Sequence, residues 1–278
     1  MKFNPDWHPE GVSCEAALRE RLPEQGPVDW MIIGGSGIGK PLVAEGEHAL
    51  GLSIRERIPL AELGLPAPSV AGHGSELVFG ELAREGADPV QVCVQTGRIH
   101  PYEGHSAALA SAPLGAVLSI GARQVLLTSA VGGVNTQLRV GEIVSYRDQF
   151  NLFGPTSLRG AAFIDCSRLY DPELRARLQQ LDGSLREVVY GHARGPQYES
   201  PAEVAALRTL GCDVVGMSTT YEAILAAAHG VPTCGLGVVT NAAGAEALSH
   251  VEVQEESGKA RTRLANLVRG LLGAARPA

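Results

Sequence analysis

The chain has 278 residues, a formal net charge of -7 and 19% charged residues, with 45% hydrophobic and 5% aromatic content. That length fills one sizeable core; an acidic balance without a basic run excludes nucleic acid as a partner class; and 34 glycines suit tight strand-to-helix turns more than an aromatic-packed sandwich. The five cysteines form no C-x-x-C pair, and the stretch from Met1 to His8 lacks the apolar core of a signal peptide, so reduced thiols in a cytoplasmic protein are expected.

In chain order, residues 14–21 predict a short helix, and residues 29–33 a first strand that runs into Gly34-Gly35-Ser36-Gly37-Ile38-Gly39-Lys40. Residues 52–80 alternate turn signals with short β-like runs, and residues 90–95 predict a buried strand. Residues 106–120, within an uncharged segment, read as a helix, bent or starting late near Pro113 and stopped by Gly121. Residues 124–129 form another strand ending in glycine, residues 142–146 a further one, and residues 148–170 a long loop of the kind that carries function or an interface. Pro172 opens a helix to Leu181; residues 186–190 are a strand; Ser200-Pro201-Ala202-Glu203 opens a helix closed by Gly211. A short strand at 214–217, a helix at 220–229, a last strand at 233–239 and helical spacing over 250–272 complete the chain. The two uncharged segments, 106–122 and 223–245, are broken by Pro, Gly, Ser, Thr or Asn and read as buried core, not membrane spans. Strands alternating with helices predict an α/β fold: one domain over residues 1–278, with a central mixed sheet flanked by helices.

Two loops hold chemistry. Gly97-Arg98-Ile99-His100-Pro101-Tyr102-Glu103-Gly104-His105 follows the strand at 90–95, and strand ends of open α/β sheets are where ligands bind. The Arg98 fork and His100 suit an oxyanion, with Glu103 a potential partner for Arg98. The loop after the first strand nearly fits two phosphate motifs and fails each at one diagnostic residue. Pro41 stands where a P-loop needs Ser or Thr, and Lys40 where a dinucleotide fingerprint needs glycine. A plain tight turn and an oxyanion cradle with the Ser36 hydroxyl both remain open.

Taken together, Gly34–Gly39, Gly72-His73-Gly74, Gly97-Arg98-x-His100-x-Tyr102-Glu103-Gly104, Thr128-Ser129-Ala130-Val131-Gly132-Gly133, Gly195-Pro196-Gln197-Tyr198-Glu199, Gly216-Met217-Ser218-Thr219 and Thr240-Asn241 resemble the motifs of the trimeric class of purine nucleoside phosphorylases. They recur in order over residues 29–255. The resemblance implies phosphorolysis of 6-oxopurine nucleosides of the inosine and guanosine type in purine salvage. It implies inorganic phosphate as co-substrate, no cofactor, no metal and a homotrimer. Phosphate is assigned to Ser36, His73, Arg98, His100, the backbone of Ala130 and Ser218. Ribose falls to Tyr102, Met217 and His250, with Phe163 reaching in from a neighbouring subunit. The base falls to Tyr198, Glu199 and Asn241, with Asn241, Glu199 and His100 as the catalytic set. Ser129 and Val131 depart from the family's Asn and Ala. Two other readings stand beside this one: a methylthioadenosine phosphorylase, which shares Gly34-Gly35 but commonly has Asp at position 241 and lacks Glu at 199, and a non-catalytic nucleoside or phosphate binder.

Overall fold

The computed structural model describes residues 3–24, 26–69, 73–152, 154–245 and 249–273. The elements in chain order are α1 (Pro9–Arg21), β1 (Trp30–Ile33), α2 (Gly39–Leu42), β2 (Ser53–Pro59), β3 (Glu76–Arg84), β4 (Ala87–Gln95), α3 (Ala107–Ala110), α4 (Ala112–Ser119), β5 (Val125–Gly133), β6 (Ile143–Phe150), α5 (Pro172–Leu181), β7 (Arg186–His192), α6 (Pro201–Thr209), β8 (Val214–Gly216), α7 (Thr220–Ala228), β9 (Thr233–Ala242), α8 (His250–Lys259) and α9 (Arg261–Gly273). The molecule is a single-domain mixed α/β structure, as expected. The two ends of the expected 1–278 span, and Gly72 of its His-containing motif, lie outside the described residues.

The strands form one mixed sheet in the order β2-β3-β4-β1-β5-β8-β7-β6-β9, and β9 also pairs with β5. The second half of the sheet therefore closes on itself. Both faces are covered because β1 alternates its contacts. Met31 and Ile33 join a core built with α1, α3, α4 and α7, whereas Trp30 and Ile32 join one built with α2, α5 and α9. Strands β4, β1, β5 and β9 run parallel to one another, so their C-terminal ends emerge together.

Most boundaries follow from local chemistry. Asp171 accepts from the N–H groups of Glu173 and Leu174, and Pro172 sits in the first turn, which fixes the start of α5. Ser200 and Glu203 form a capping box on α6. The expected 106–120 helix is broken at Ser111 into α3 and α4, with Pro113 in the first turn of α4. Strands β5 and β9 extend past their expected ends. β5 continues through Gly132 and Gly133 because β8 and β9 pair with them. β9 continues to Ala242 with one irregularity: Val131 pairs with Val239 but Gly132 with Asn241, so Thr240 is an extra residue.

Candidate active site

A cavity of about 300 Å³ opens where these strand ends meet, within the size range of small-molecule sites. Its lining brings together Ser36, Arg98, His100, Tyr102, Ala130, Tyr198, Glu199, Met217, Ser218, Asn241 and His250, residues drawn from nearly the whole length of the chain. His73 does not line it but stands behind Ser36. Phe163 does not line it either and is 84% exposed.

The glycine loop is built for close approach to β5. A Cβ on Gly35 would lie 2.7 Å from both the Ser129 Cα and the Thr128 carbonyl oxygen. The N–H groups of Gly34, Gly35, Ile38 and Gly39 are spent on Gln95, Thr128 and Gly35 acceptors. The loop's contribution to the cavity is therefore Ser36, with Gly35, more than a run of free backbone donors. Only one short helical turn, α2, follows it.

Ser36 belongs to a proton-ordered chain. The Arg98 backbone N–H donates to His73 Nδ1 at 3.0 Å, so the His73 proton lies on Nε2 and is given to Ser36 Oγ at 2.8 Å. The Ser36 hydroxyl hydrogen is then left to point at a ligand. Burial first, then the neighbouring His100 imidazole and Arg98 guanidinium, lower the His73 pKa to about 3, consistent with the neutral form that this chain requires.

Arg98 is 1% exposed, and its partner is Glu222, not Glu103 as the sequence suggested. Its Nε donates to Glu222 Oε1 at 2.9 Å, its Nη2 to Oε2 at 3.0 Å, and its Nη1 to the Thr128 carbonyl at 2.5 Å. A guanidinium has five N–H groups, so one remains on each terminal nitrogen for an anion. Burial works against the Arg98 charge, and the Glu222 carboxylate more than offsets it, holding the pKa above the ordinary arginine value. Glu103 instead accepts from the His100 backbone N–H at 2.7 Å, from His100 Nδ1 at 3.3 Å and from Ser69 N and Oγ, both at 2.6 Å. Burial opposes its charge, but these bonds outweigh burial and bring its pKa down to about 2. His100, lowered by burial, gives its Nδ1 proton to that carboxylate and keeps Nε2 as an acceptor. Tyr102 stacks on it at 4.6 Å.

Ser218 is placed by a tight turn. Thr219 has φ 62° and ψ -42°, the Thr220 N–H donates to the Ser218 carbonyl at 2.7 Å, and the result is a γ-turn at the start of α7. Elsewhere in the cavity lining, the Thr240 hydroxyl donates to Asn241 Oδ1 at 3.0 Å, and Asn241 Nδ2 donates to the Ala242 carbonyl at 3.1 Å. These bonds orient the amide. Burial raises the Glu199 pKa above the usual carboxylate range. His250, in the first turn of α8, contacts Gln254 through Nε2 at 3.0 Å. The departing residue Ser129 meets the Tyr146 hydroxyl at 2.6 Å.

Sequence reasoning missed Glu222 and Thr240. A signal for the first was present: Glu222 is the only Asp, Glu, Lys or Arg between Asp213 and Glu246, and a lone charge in an apolar helix needs a partner. Among the described residues no group of three or more His, Cys, Asp or Glu is placed to hold a metal ion, and no helix is long and apolar enough to cross a membrane.

A family model described as the phosphorylase superfamily matches residues 31–273. The purine nucleoside phosphorylase of Mycobacterium tuberculosis is 40% identical over 215 residues, covering 76% of this chain and 78% of that protein. Purine nucleoside phosphorylase 1 of Bacillus subtilis is 35% identical over 271 residues, covering 92% and 95%. A crystal structure of Schistosoma mansoni purine nucleoside phosphorylase in complex with inosine superposes with a TM-score of 0.79 at 26% identity, over 97% of this chain and 98% of that one.

Proposed function

The chain belongs to the purine nucleoside phosphorylases, within the phosphorylase superfamily, and on that premise we propose that it cleaves 6-oxopurine nucleosides with inorganic phosphate, giving the free base and a pentose 1-phosphate. The observation that carries the reading is one cavity lined both by groups suited to an anion and by groups suited to a 6-oxopurine. Ser36, Arg98, His100, Ala130 and Ser218 are the first set, read as the anion-binding end, and Tyr198, Glu199 and Asn241 the second, read as the base-binding end.

Phosphate is the nucleophile, so the protein needs no nucleophilic side chain of its own. Its oxygens take the Ser36 and Ser218 hydroxyls, the Ala130 N–H and the two remaining Arg98 N–H groups. The O–H of monohydrogen phosphate donates to His100 Nε2. Its attacking oxygen forms a bond to the sugar C1′ as the bond from C1′ to the purine nitrogen breaks, and that electron pair passes to the purine. Positive charge builds on the sugar beside the phosphate. Negative charge builds on the base, which takes up a proton at N7 from water as it leaves; Asn241 Oδ1 accepts from that N7–H and Nδ2 donates to O6. Glu199 accepts from N1–H, and Tyr198 stacks on the ring. Tyr102 and the Met217 backbone hold the sugar hydroxyls, and His250 the 5′-hydroxyl. His73 acts on phosphate through Ser36.

Asn241 and Glu199 together favour hypoxanthine and guanine over adenine, which offers an amino group where Asn241 Nδ2 donates. The relatives' activity and the reduced, mostly buried cysteines support a cytoplasmic purine-salvage enzyme without a cofactor. The exposure of Phe163 supports a homotrimer in which this ring closes the neighbouring site. The test is a nucleoside panel assayed with and without phosphate. Phosphate-dependent release of hypoxanthine and guanine, well above adenine, is expected. Faster cleavage of methylthioadenosine would replace the substrate assignment, and binding without turnover would favour a non-catalytic binder.

A further inference from the structure

Two fully buried tyrosines outside the cavity lining carry polar contacts to both sides of the anion-binding end. Tyr146 projects from β6 across β9 to β5. It has room because β9 carries glycine at two positions beneath it: a Cβ on Gly237 would lie 2.6 Å from the Tyr146 hydroxyl, and a Cβ on Gly235 would overlap the ring. Gly237 pairs with Ser129, and the Tyr146 hydroxyl crosses it to meet Ser129 Oγ at 2.6 Å, next to Ala130. Tyr190 stands on β7 with its ring 5.1 Å from that of Tyr146 in an edge-on contact. Its hydroxyl accepts the Ser218 N–H at 3.1 Å and packs where a side chain on Gly216 would sit. One aromatic pair thus ties the β5 wall, which carries Ser129 and Ala130, to the turn that carries Ser218.

We infer that Tyr146 and Tyr190 are positioning residues for the oxyanion, setting the distance between the Ala130 N–H and the Ser218 hydroxyl and so the affinity for inorganic phosphate. The inference rests on the phosphorolysis reading for its substrate, but its geometry does not involve the nucleoside. A hydroxyl removed from either ring leaves packing intact and frees one wall of the anion-binding end.

The test uses the full chain with Tyr146→Phe, Tyr190→Phe and, as a control, Tyr221→Phe, whose buried hydroxyl has no hydrogen-bond partner among the described residues. Binding of inorganic phosphate is measured by calorimetry, and KM is measured separately for phosphate and inosine. Tyr190→Phe is expected to weaken phosphate by about tenfold and Tyr146→Phe by about fivefold, with inosine KM within about twofold and the control unchanged. Wild-type phosphate affinity in both variants, or equal rises in both KM values, would overturn the inference while leaving the function standing. A wild-type protein that binds phosphate but cleaves no nucleoside would remove the function, and the calorimetric comparison would still decide the inference. A wild-type protein that binds no phosphate would overturn both.

Discussion

Replacing Glu222 by Gln tests whether the buried ion pair holds Arg98 in place or merely neutralises it. The two side chains are 1% and 2% exposed, and three hydrogen bonds join them. Removing one partner of such a pair leaves an uncompensated buried charge and costs about 3–5 kcal/mol. Gln retains one acceptor oxygen, which places Glu222→Gln near about 3 kcal/mol, a fall in melting temperature of roughly 6–12 °C for a chain of this size. Charge counting and positioning then give opposite signs for phosphate. Loss of a carboxylate makes the anion-binding end more positive, so charge alone predicts tighter phosphate. Loss of the fork frees Arg98 to turn away from its two ligand-facing N–H groups, so positioning predicts phosphate KM raised by about tenfold or more, with inosine KM less affected. Thermal melts with and without phosphate, followed by the two KM values, read both effects. A melting temperature within about 2 °C of wild type together with tighter phosphate would refute the positioning argument.

Asn241→Ala is expected to lower kcat by about two orders of magnitude, as loss of a donor to developing charge does; near-wild-type turnover in a stopped assay would remove the leaving-group role. Because burial raises the Glu199 pKa, its carboxylate is lost on the acid side earlier than an ordinary glutamate's, so inosine KM should climb as pH falls through that raised pKa; Glu199→Gln should have a high, pH-independent KM, and an unchanged acid limb in the variant would contradict this. His8 and His73 have pKa values lowered to about 4 and about 3, chiefly by burial. The unfolded chain thus binds more protons than the folded one between those values and 6.5, and stability present above about pH 6.5 is lost as pH falls, by roughly 2 kcal/mol per histidine at pH 5. A melting temperature that does not move between pH 7 and pH 5 would count against it. Phe163→Ala should raise nucleoside KM by about tenfold without changing the melting temperature, and sedimentation should give three copies; a fully active monomer would end the neighbouring-site role.

Local signals carried the elements, and distant pairings decided their ends. The span of α5 is legible because Asp171 and Pro172 write its start into adjacent residues, and the capping box of Ser200 and Glu203 does the same for α6. The full lengths of β5 and β9 are not legible, since Gly132, Gly133 and Asn241 are strand residues only through their cross-strand partners. The site divides in the same way. Ser36, Arg98 and His100 stand out as polar groups after strand ends, Glu199 and Asn241 are found through motifs shared with the family, and all five gather in the cavity. The partnership of Arg98 was misread because Glu103 is five residues away in sequence and Glu222 is 124, and chain proximity is no guide to which carboxylate shares a buried site. The supporting roles of Tyr146 and Tyr190 depend on glycines in two other strands, β9 and β8, a relation that no local pattern expresses.

The extra residue in β9 has a consequence for anyone redesigning this protein. Thr240 breaks the register between β5 and β9, and its hydroxyl is the one that turns the Asn241 amide. Deleting it to regularise the sheet would leave Asn241 opposite Gly132 but remove both the hydroxyl that donates to its Oδ1 and the local twist that the bulge adds. A repaired sheet would keep the amide in register yet leave it without the bond that turns it. Stabilising changes to this fold are best made in β2, β3 and the outer helices, because here a flaw in the ladder is the device that aims the chemistry.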